Sequence, residues 1–329
     1  MFDVRRLRLL RDLSLYGTVT ATAEALHLSG PAVSQQLATL EKEAGLPLLE
    51  KQGRTLRLTS AGRLLVEHTE VILGGLSAAE ADLRALRGGR RGVVRVAAFP
   101  TAARALLPTV WRALAPDAET GAPELHIVEH EPGPAADALR RRDADLAVVH
   151  AYSLLPRTLP PGCEQHHLLD DPVLLALHPE TAARLRIEPG RKADLACLAD
   201  ENWLLPGPET SCHELTQRAC GAAGFVPRAT AMASDFSVLS ALVGAAAGVA
   251  LVPRMALPAD TSGISLHPLA RPVTRTVSVL NRTGDAGQPQ LGLVLDALRL
   301  VASKEAEAAE ASKEAEAAEA AEGSTVPGA

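Results

Sequence analysis

The stretch LSGPAVSQQLATLEKEAG, Leu28 to Gly45, holds Ser29, Ser34 and Thr39, whose hydroxyls can bond phosphate oxygens, and Gln35, whose amide can bond a base edge. Just downstream come Lys51, Arg54, Arg57 and Arg63, cations of the kind that clamp a sugar-phosphate backbone. The spacing predicts how these groups are presented. Val33, Leu37 and Leu40 recur at helical intervals, and at ~100° per residue Pro31, Ser34, Gln35, Ala38 and Thr39 fall on the opposite side. Ser29 suits an N-cap, and Pro31 suits the first turn, where its missing N–H costs little. Taken alone, this face fits an ordinary solvated surface as well as a groove-reading one, because helix-turn-helix units also make protein contacts.

Other reactive residue types cluster less tellingly. Glu164 to Asp171, EQHHLLDD, contains metal-ligating types, but on a strand alternate residues face opposite ways, which argues against one shared ion. Cys163, Cys197, Cys212 and Cys220 show no CxxC spacing, so neither a disulfide scaffold nor a structural zinc is expected. No P-loop, HExxH or GxSxG occurs, and no cofactor or enzymatic activity is expected.

The elements that must position the first cluster follow from periodicity. Val4, Leu7, Leu10, Arg11 and Ser14 set one helix, Thr20 to Leu26 a second, and the quoted stretch the third. LPLLEKQGRTLRLT, Leu46 to Thr59, predicts a hairpin turning at Gly53 and Arg54. Three helices and a basic hairpin make a winged helix-turn-helix. Ser60 to Arg87 predicts a long amphipathic helix, with Gly74-Gly75 as a place where it can bend, whose apolar stripe needs a partner helix. RGGRRG, Arg87 to Gly92, predicts a hinge.

Beyond the hinge the patterns alternate. Strands are expected at Val93 to Phe99, Glu124 to His130, Asp145 to His150, Val173 to His178, Trp203 to Pro206, Ala229 to Ala233 and Val249 to Pro253. Helices are expected at Ala102 to Leu114, Ala135 to Arg142, Ala193 to Ala199, Cys212 to Ala223, Phe236 to Ala247 and Gln290 to Val301. Such alternation predicts a parallel α/β sheet, and the Pro-rich 154–162 segment predicts two lobes.

Charge is divided along the chain of 329 residues. The formal net charge is −6, yet residues 1–65 hold nine Lys/Arg against six Asp/Glu. The repeat SKEAEAAEA, at 303–311 and again at 312–320, carries most of the acidity and predicts a solvated helix fading into GSTVPGA, with an acidic interaction arm as the alternative. The charged start MFDVRRLRLLRDL is not a signal peptide, and no apolar run reaches membrane-spanning length, so a cytoplasmic location without membrane contact is expected.

Thr18 to Gly62 resembles the DNA-binding segment of LysR-type transcriptional regulators in Ala23, Ala25-Leu26, Ser29-x-Pro31-Ala32-Val33-Ser34, Leu40-Glu41, Gly45, Pro47-Leu48, Arg54, Leu58-Thr59 and Gly62. VRVAAFPTAARALLP, DADLAVVH, ACGAAGFVP and LSALVGAAAGVALVP are similar to blocks of that family's effector domain, so the resemblance covers residues 1 to about 301. It implies an α/β chain with an all-α start: a winged helix-turn-helix over 1–59, a linker and dimerisation helix with hinge over 60–91, and a two-lobed, periplasmic-binding-protein-like effector domain over 92–301. Lobe I would take about 92–160 and 268–301, lobe II about 161–267, and the acidic tail 302–329.

By that resemblance Ser29, Pro31, Ser34, Gln35 and Thr39 meet double-stranded operator DNA, with Arg54 and Arg57 on the wing. The implied partners are a second copy or a homotetramer, a small-molecule effector, and RNA polymerase. The sequence departs from the family at Gly30, where Gln is common, at Gln35 and Ala38, where a cation is common, and at Leu49-Glu50-Lys51, in place of Phe-x-Arg; fewer cations predict fewer phosphate contacts per monomer. An effector site is expected between the lobes, where strand ends meet helix starts. Thr101 begins a helix there and can hold an anionic group or act as a plain N-cap. Ser211, with Thr210, and the run Ser234 to Ser237, with Asp235 and Ser237, occupy analogous helix starts, and Phe99 replaces a residue that is polar in many relatives, which implies a partly apolar effector. Two alternatives accompany this reading. One is a redox-sensing regulator using Cys212 and Cys220, although eight residues of helix separate them by ~12 Å. The other is a ligand-binding module whose helix-turn-helix makes only protein contacts.

Overall fold

The computed structural model describes residues 1–52, 55–86, 92–114, 122–188, 190–285 and 288–323. Arg54 with its turn, most of the hinge at 87–91, and the end of the tail at 324–329 lie outside the described residues.

The chain opens with α1 (Val4–Tyr16), α2 (Val19–Ala25) and α3 (Gly30–Ala44). Each helix begins on an oxygen-bearing cap: Asp3 accepts from Arg5 N–H, Thr18 from Ala21 N–H, and Ser29 from Ala32 N–H. Gly17 and Gly45 end α1 and α3 in the left-handed region, at φ 76° and 68°. Leu7, Leu10, Val33, Leu37, Leu40 and Leu48 form the small core. The wing is the antiparallel pair β1 (Leu49–Gln52) and β2 (Thr55–Leu58). Its root is tied to α3, since Glu41 Oε1 accepts the N–H groups of Leu48 at 2.8 Å and Leu49 at 3.0 Å.

The linker helix α4 (Ser60–Leu86) runs unbroken through Gly74 and Gly75. A Cβ on Gly74 would lie 2.7 Å from the Thr283 carbonyl, so this glycine serves close approach to lobe I rather than the expected bend.

Lobe I then builds β3 (Val93–Ala98), α5 (Pro100–Ala105), α6 (Leu107–Ala113), β4 (Glu124–Glu129), α7 (Pro132–Arg141) and β5 (Leu146–Tyr152). The single helix expected over 102–114 is two, because Pro108 starts a new helix and cannot extend the old one. The long strand β6 (Cys163–Leu177) leads into lobe II, with α8 (Pro179–Arg184), β7 (Asn202–Leu205), α9 (Ser211–Ala222), β8 (Arg228–Met232), α10 (Phe236–Gly244), β9 (Ala250–Pro253) and β10 (Ser265–Pro268). The helix expected over 193–199 is a 3-10 turn, Leu195–Leu198. Strand β11 (Thr274–Arg282) returns to lobe I, and α11 (Pro289–Gly323) carries the acidic repeat.

The sheet is mixed, which corrects the parallel expectation. β3 pairs in parallel with β4 and β5, whereas β11 lies antiparallel between β5 and β6. Residues Cys163–Pro172 of β6 pair with β11, and Val173–Leu177 pair with β9 and β10. The chain therefore passes from the β11 pairing to the β9 and β10 pairing inside β6, near Asp171–Val173. Two buried cores flank this sheet in lobe I, and a third gathers around Trp203 in lobe II.

Candidate nucleic-acid interface and interlobe site

α3 buries Val33, Leu37 and Leu40 and leaves Pro31, Ser34, Gln35 and Ala38 exposed. The exposed face is thus a short polar strip with one long amide, Gln35, at its middle. Two expected contributors are already committed within the helix. Ser29 Oγ accepts from Ala32 N–H at 3.3 Å, and Thr39 Oγ1 donates to the Gln35 carbonyl at 2.9 Å. On the wing Arg57 is exposed but stands opposite Glu50 in the strand register, which offsets its charge. Arg63 donates to the Leu58 carbonyl and Ser60 Oγ, so it braces the wing. The strip of Pro31, Ser34, Gln35 and Ala38 carries a hydroxyl and an amide and no cation.

Between the lobes a cavity of about 30 Å³ has room for one or two waters. Helix starts surround it: Phe99 and Thr101 come from the β3–α5 junction, Thr210, Ser211 and Cys212 from the start of α9, and Ser234 and Phe236 from the start of α10. Thr101, Phe99 and Ser211 are thereby brought together. Asp235 and Ser237 are not: both are exposed, and Asp235 caps α10 by accepting from Ser237 N–H at 2.8 Å, which holds its carboxyl below the ordinary range. Their neighbours Ser234 and Phe236 line the cavity instead.

Several lining groups carried no signal in the local sequence. His150 and Tyr152 come from the end of β5, Arg275 from β11 and Glu131 from the end of the β4 loop. His150 Nε2 lies 2.8 Å from Ser211 Oγ, and burial, with the Arg275 and Arg157 charges, pushes its pKa well below the usual value. Its ring stands edge-on to Phe99, centroids 4.4 Å apart. Arg275 places its guanidinium 5.1 Å from the Phe99 ring centre and donates twice to Asp171 Oδ2, at 2.6 and 3.0 Å. Burial opposes the Arg275 charge, but Asp171 more than offsets it and the guanidinium pKa stands above its ordinary value.

Three atoms of lining residues, Thr101 Oγ1, His150 Nδ1 and Tyr152 Oη, are buried with no hydrogen-bond partner among the described residues. Such orphans are costly, and all three sit on residues that line the cavity together with the start of α9, whose first-turn N–H groups lie there. The Thr101 and Tyr152 hydroxyls and the first-turn N–H groups of α9 can donate, and His150 Nδ1 donates when Ser211 donates to Nε2, so the cavity suits an acceptor group such as a carboxylate.

Cys212 and Cys220 are both buried on α9, and desolvation pushes their thiols up to about 11 and 12. Thiols in that state carry little thiolate, and the arrangement lends nothing to a redox switch. The Glu164–Asp171 segment points its side chains to separate partners: His166 to Asn281, His167 to Asp170, and Asp171 to Arg275.

Comparison with known proteins matches both halves of the chain. The family described as "Bacterial regulatory helix-turn-helix protein, lysR family" matches residues 4–63, and "LysR substrate binding domain" matches residues 87–303. The nitrogen assimilation regulatory protein nac of Escherichia coli is 26% identical over 257 residues, covering 77% of this chain and 79% of that protein. The HTH-type transcriptional regulator IlvR of Caulobacter vibrioides is 29% identical over 285 residues, covering 85% and 90%. In fold, the crystal structure of ArgP from Mycobacterium tuberculosis superposes with a TM-score of 0.60 at 20% identity, over 92% of this chain and 98% of that one.

Proposed function

The chain belongs to the LysR family of DNA-binding transcriptional regulators, and on that premise we propose how its own residues act. Gln35 and Ser34 on α3 read base edges in a major groove, Pro31 packs beside them, and Arg57 with Arg54 holds the wing near the backbone. Two copies pair through α4. Leu64, Val71, Ile72, Leu76 and Leu83 are each at least 41% exposed and fall within about 140° of one another around the helix. Their burial against a second helix sets the half-site spacing, and dimeric or tetrameric binding compensates for the few cations on each head. The protein works in the cytoplasm, where its DNA lies, and acts by binding rather than catalysis.

An anionic effector bound between the lobes shifts the assembly between arrangements that grip DNA differently. One observation carries this: Thr101, His150 and Tyr152, each with a buried and unpartnered polar atom, line a single cavity with the start of α9. An effector of more than a few atoms enters only when the lobes part, and its contacts then hold them at a new separation. The test is an electrophoretic shift on the intergenic DNA beside the gene, with a panel of small carboxylates. A carboxylate should move the wild-type affinity, and Thr101→Val should abolish that response while leaving ligand-free binding intact. A response unchanged in Thr101→Val would remove the effector from the cleft.

A further inference from the structure

We infer that Glu70 is an electrostatic latch: from the linker helix it joins Arg11 of the DNA-binding head to Arg142 and Arg282 of lobe I, so that head, linker and lobe I of one chain move as one body.

The seat for this latch is built by close backbone approach. Glu70 and Gly74 lie one turn apart on one face of α4, beside the buried Thr69 and Leu73. Each meets a different turn of lobe I. A Cβ on Gly162 would lie 3.1 Å from Glu70 Cβ and Cγ, and one on Gly74 would lie 2.7 Å from the Thr283 carbonyl. Thr283 N–H donates to the Gly162 carbonyl at 2.8 Å, which ties the two turns into one surface. α1 completes the contact by packing against α7.

Charge makes that fit conditional. On the head side, Arg11 and Asp12 are buried; Arg11 Nε and Nη2 donate to Asp12 Oδ1, and Nη1 has no hydrogen-bond partner among the described residues. On the lobe I side, Arg282 is buried and Arg142 half-buried at the end of α7. Burial lowers the Arg142 pKa, the Arg282 and Arg11 charges add to that, and Asp285 and Glu70 oppose it. Cations of the head and of lobe I therefore repel one another across the seat.

Glu70 stands between them. Its Oε1 lies 4.0 Å from Arg11 Nε. Burial raises its pKa, against the charges of Arg11, Arg142, Arg282 and Arg140 in that order. Neighbouring acids are paired with cations on their own side: Asp12 with Arg11, Asp285 and Asp145 with Arg282, and Asp137 with Arg140. Neutralising Glu70 leaves like charges facing each other where little water can screen them. With the latch shut, turning lobe I within an assembly turns its head; with it open, the head turns independently.

Paired spin labels on the full chain read this directly. Glu24→Cys on α2 and Asp296→Cys on α11 are exposed positions, and Cys197→Ser removes the one exposed thiol, the other three being buried. Dilution into unlabelled protein restricts the measurement to distances within one chain. The labelled parent should give one narrow distance. Glu70→Gln, nearly equal in size, should raise the undocked population by about tenfold or more and broaden the distribution. Glu67→Gln, on the exposed side of the same helix, should leave it narrow. A broad distribution in the parent, a Glu70→Gln as narrow as the parent, or equal broadening in Glu67→Gln overturns the inference. Should Glu70→Gln fail to fold, Glu70→Asp decides. It withdraws the charge by one methylene from an Arg11 contact already at 4.0 Å and should broaden the distribution; the parent's width in that variant is also contradictory. With neither DNA nor effector present, either result stands apart from the regulatory reading of the cleft.

Discussion

Arg275 and Asp171 face each other across the two strands that carry the chain between the lobes, joined by hydrogen bonds of 2.6 and 3.0 Å to one carboxylate oxygen. The other oxygen accepts Met255 N–H at 3.0 Å, from the turn after β9 in lobe II. One ion pair therefore ties both crossing strands to lobe II at the wall of the interlobe cavity.

Removing one partner leaves a buried charge alone, so Arg275→Met should cost about 3–5 kcal/mol. The double variant Arg275→Met with Asp171→Leu should recover much of that loss. Urea unfolding of the effector-domain transition measures both, and a double variant as unstable as the single one would show that the pair's geometry, not its charge balance, is what matters.

The tail has a structural role that reaches across the lobes. Arg254 Nη1, in lobe II, donates to the Ala309 carbonyl of α11 at 2.8 Å, and Ala306 packs on the lobe I core. Truncation after Ser303 should therefore cost about 0.5–1.5 kcal/mol, a fall of a few degrees in the melting temperature of the effector domain. An unchanged melting temperature would make the repeat a solvated appendage.

Wing and linker meet where only glycine fits. A Cβ at Gly62 would lie 2.2 Å from the Leu48 carbonyl, whose neighbours anchor β1 to α3. Gly62→Ala should displace the wing at about 1–3 kcal/mol and weaken DNA binding at least tenfold by gel shift, with the effector-domain transition unmoved.

Acid should weaken the fold through His150. Above pH 6.5 the imidazole is neutral in folded and unfolded chains alike, so it contributes nothing. Below that pH the unfolded chain takes up a proton that the buried ring refuses, because its folded pKa lies well below 6.5. Stability then falls with pH by about 1.4 kcal/mol per unit until the folded pKa is reached. The urea midpoint followed between pH 7 and about 5.5 should show this slope, and His150→Gln should flatten it.

How much of this the sequence disclosed depended on how local each signal is. The helices of the head and the faces of α3 follow from i, i+4 spacing and caps, and they stand where periodicity puts them. β10, β11 and the first half of β6 escaped; in HHLLDD and TRTVSVLN polar residues interrupt the apolar ones, and Asp171, Arg275, Ser278 and Asn281 are buried beside partners on other strands. The cleft shows the same limit. Thr101 and Ser211 advertise themselves as helix starts after strands, whereas Arg275 acquires its place from Asp171, 104 residues away. Asp235 and Ser237 carried the helix-start signal too, but one residue of rotation turns them to solvent. Arg54, the wing's expected cation, lies outside the described residues.

The most direct test of the central claim, that α3 reads a groove chiefly through hydrogen bonds, is the affinity of wild type and Gln35→Ala for the intergenic DNA beside the gene, measured across a salt series. The account predicts a linear fall of log affinity with log salt, shallow for a dimer with few phosphate contacts. Gln35→Ala should weaken specific binding by about 1–3 kcal/mol with the slope unchanged. A variant that binds as well as wild type, together with a flat salt dependence, would contradict it and leave the helix-turn-helix to protein contacts.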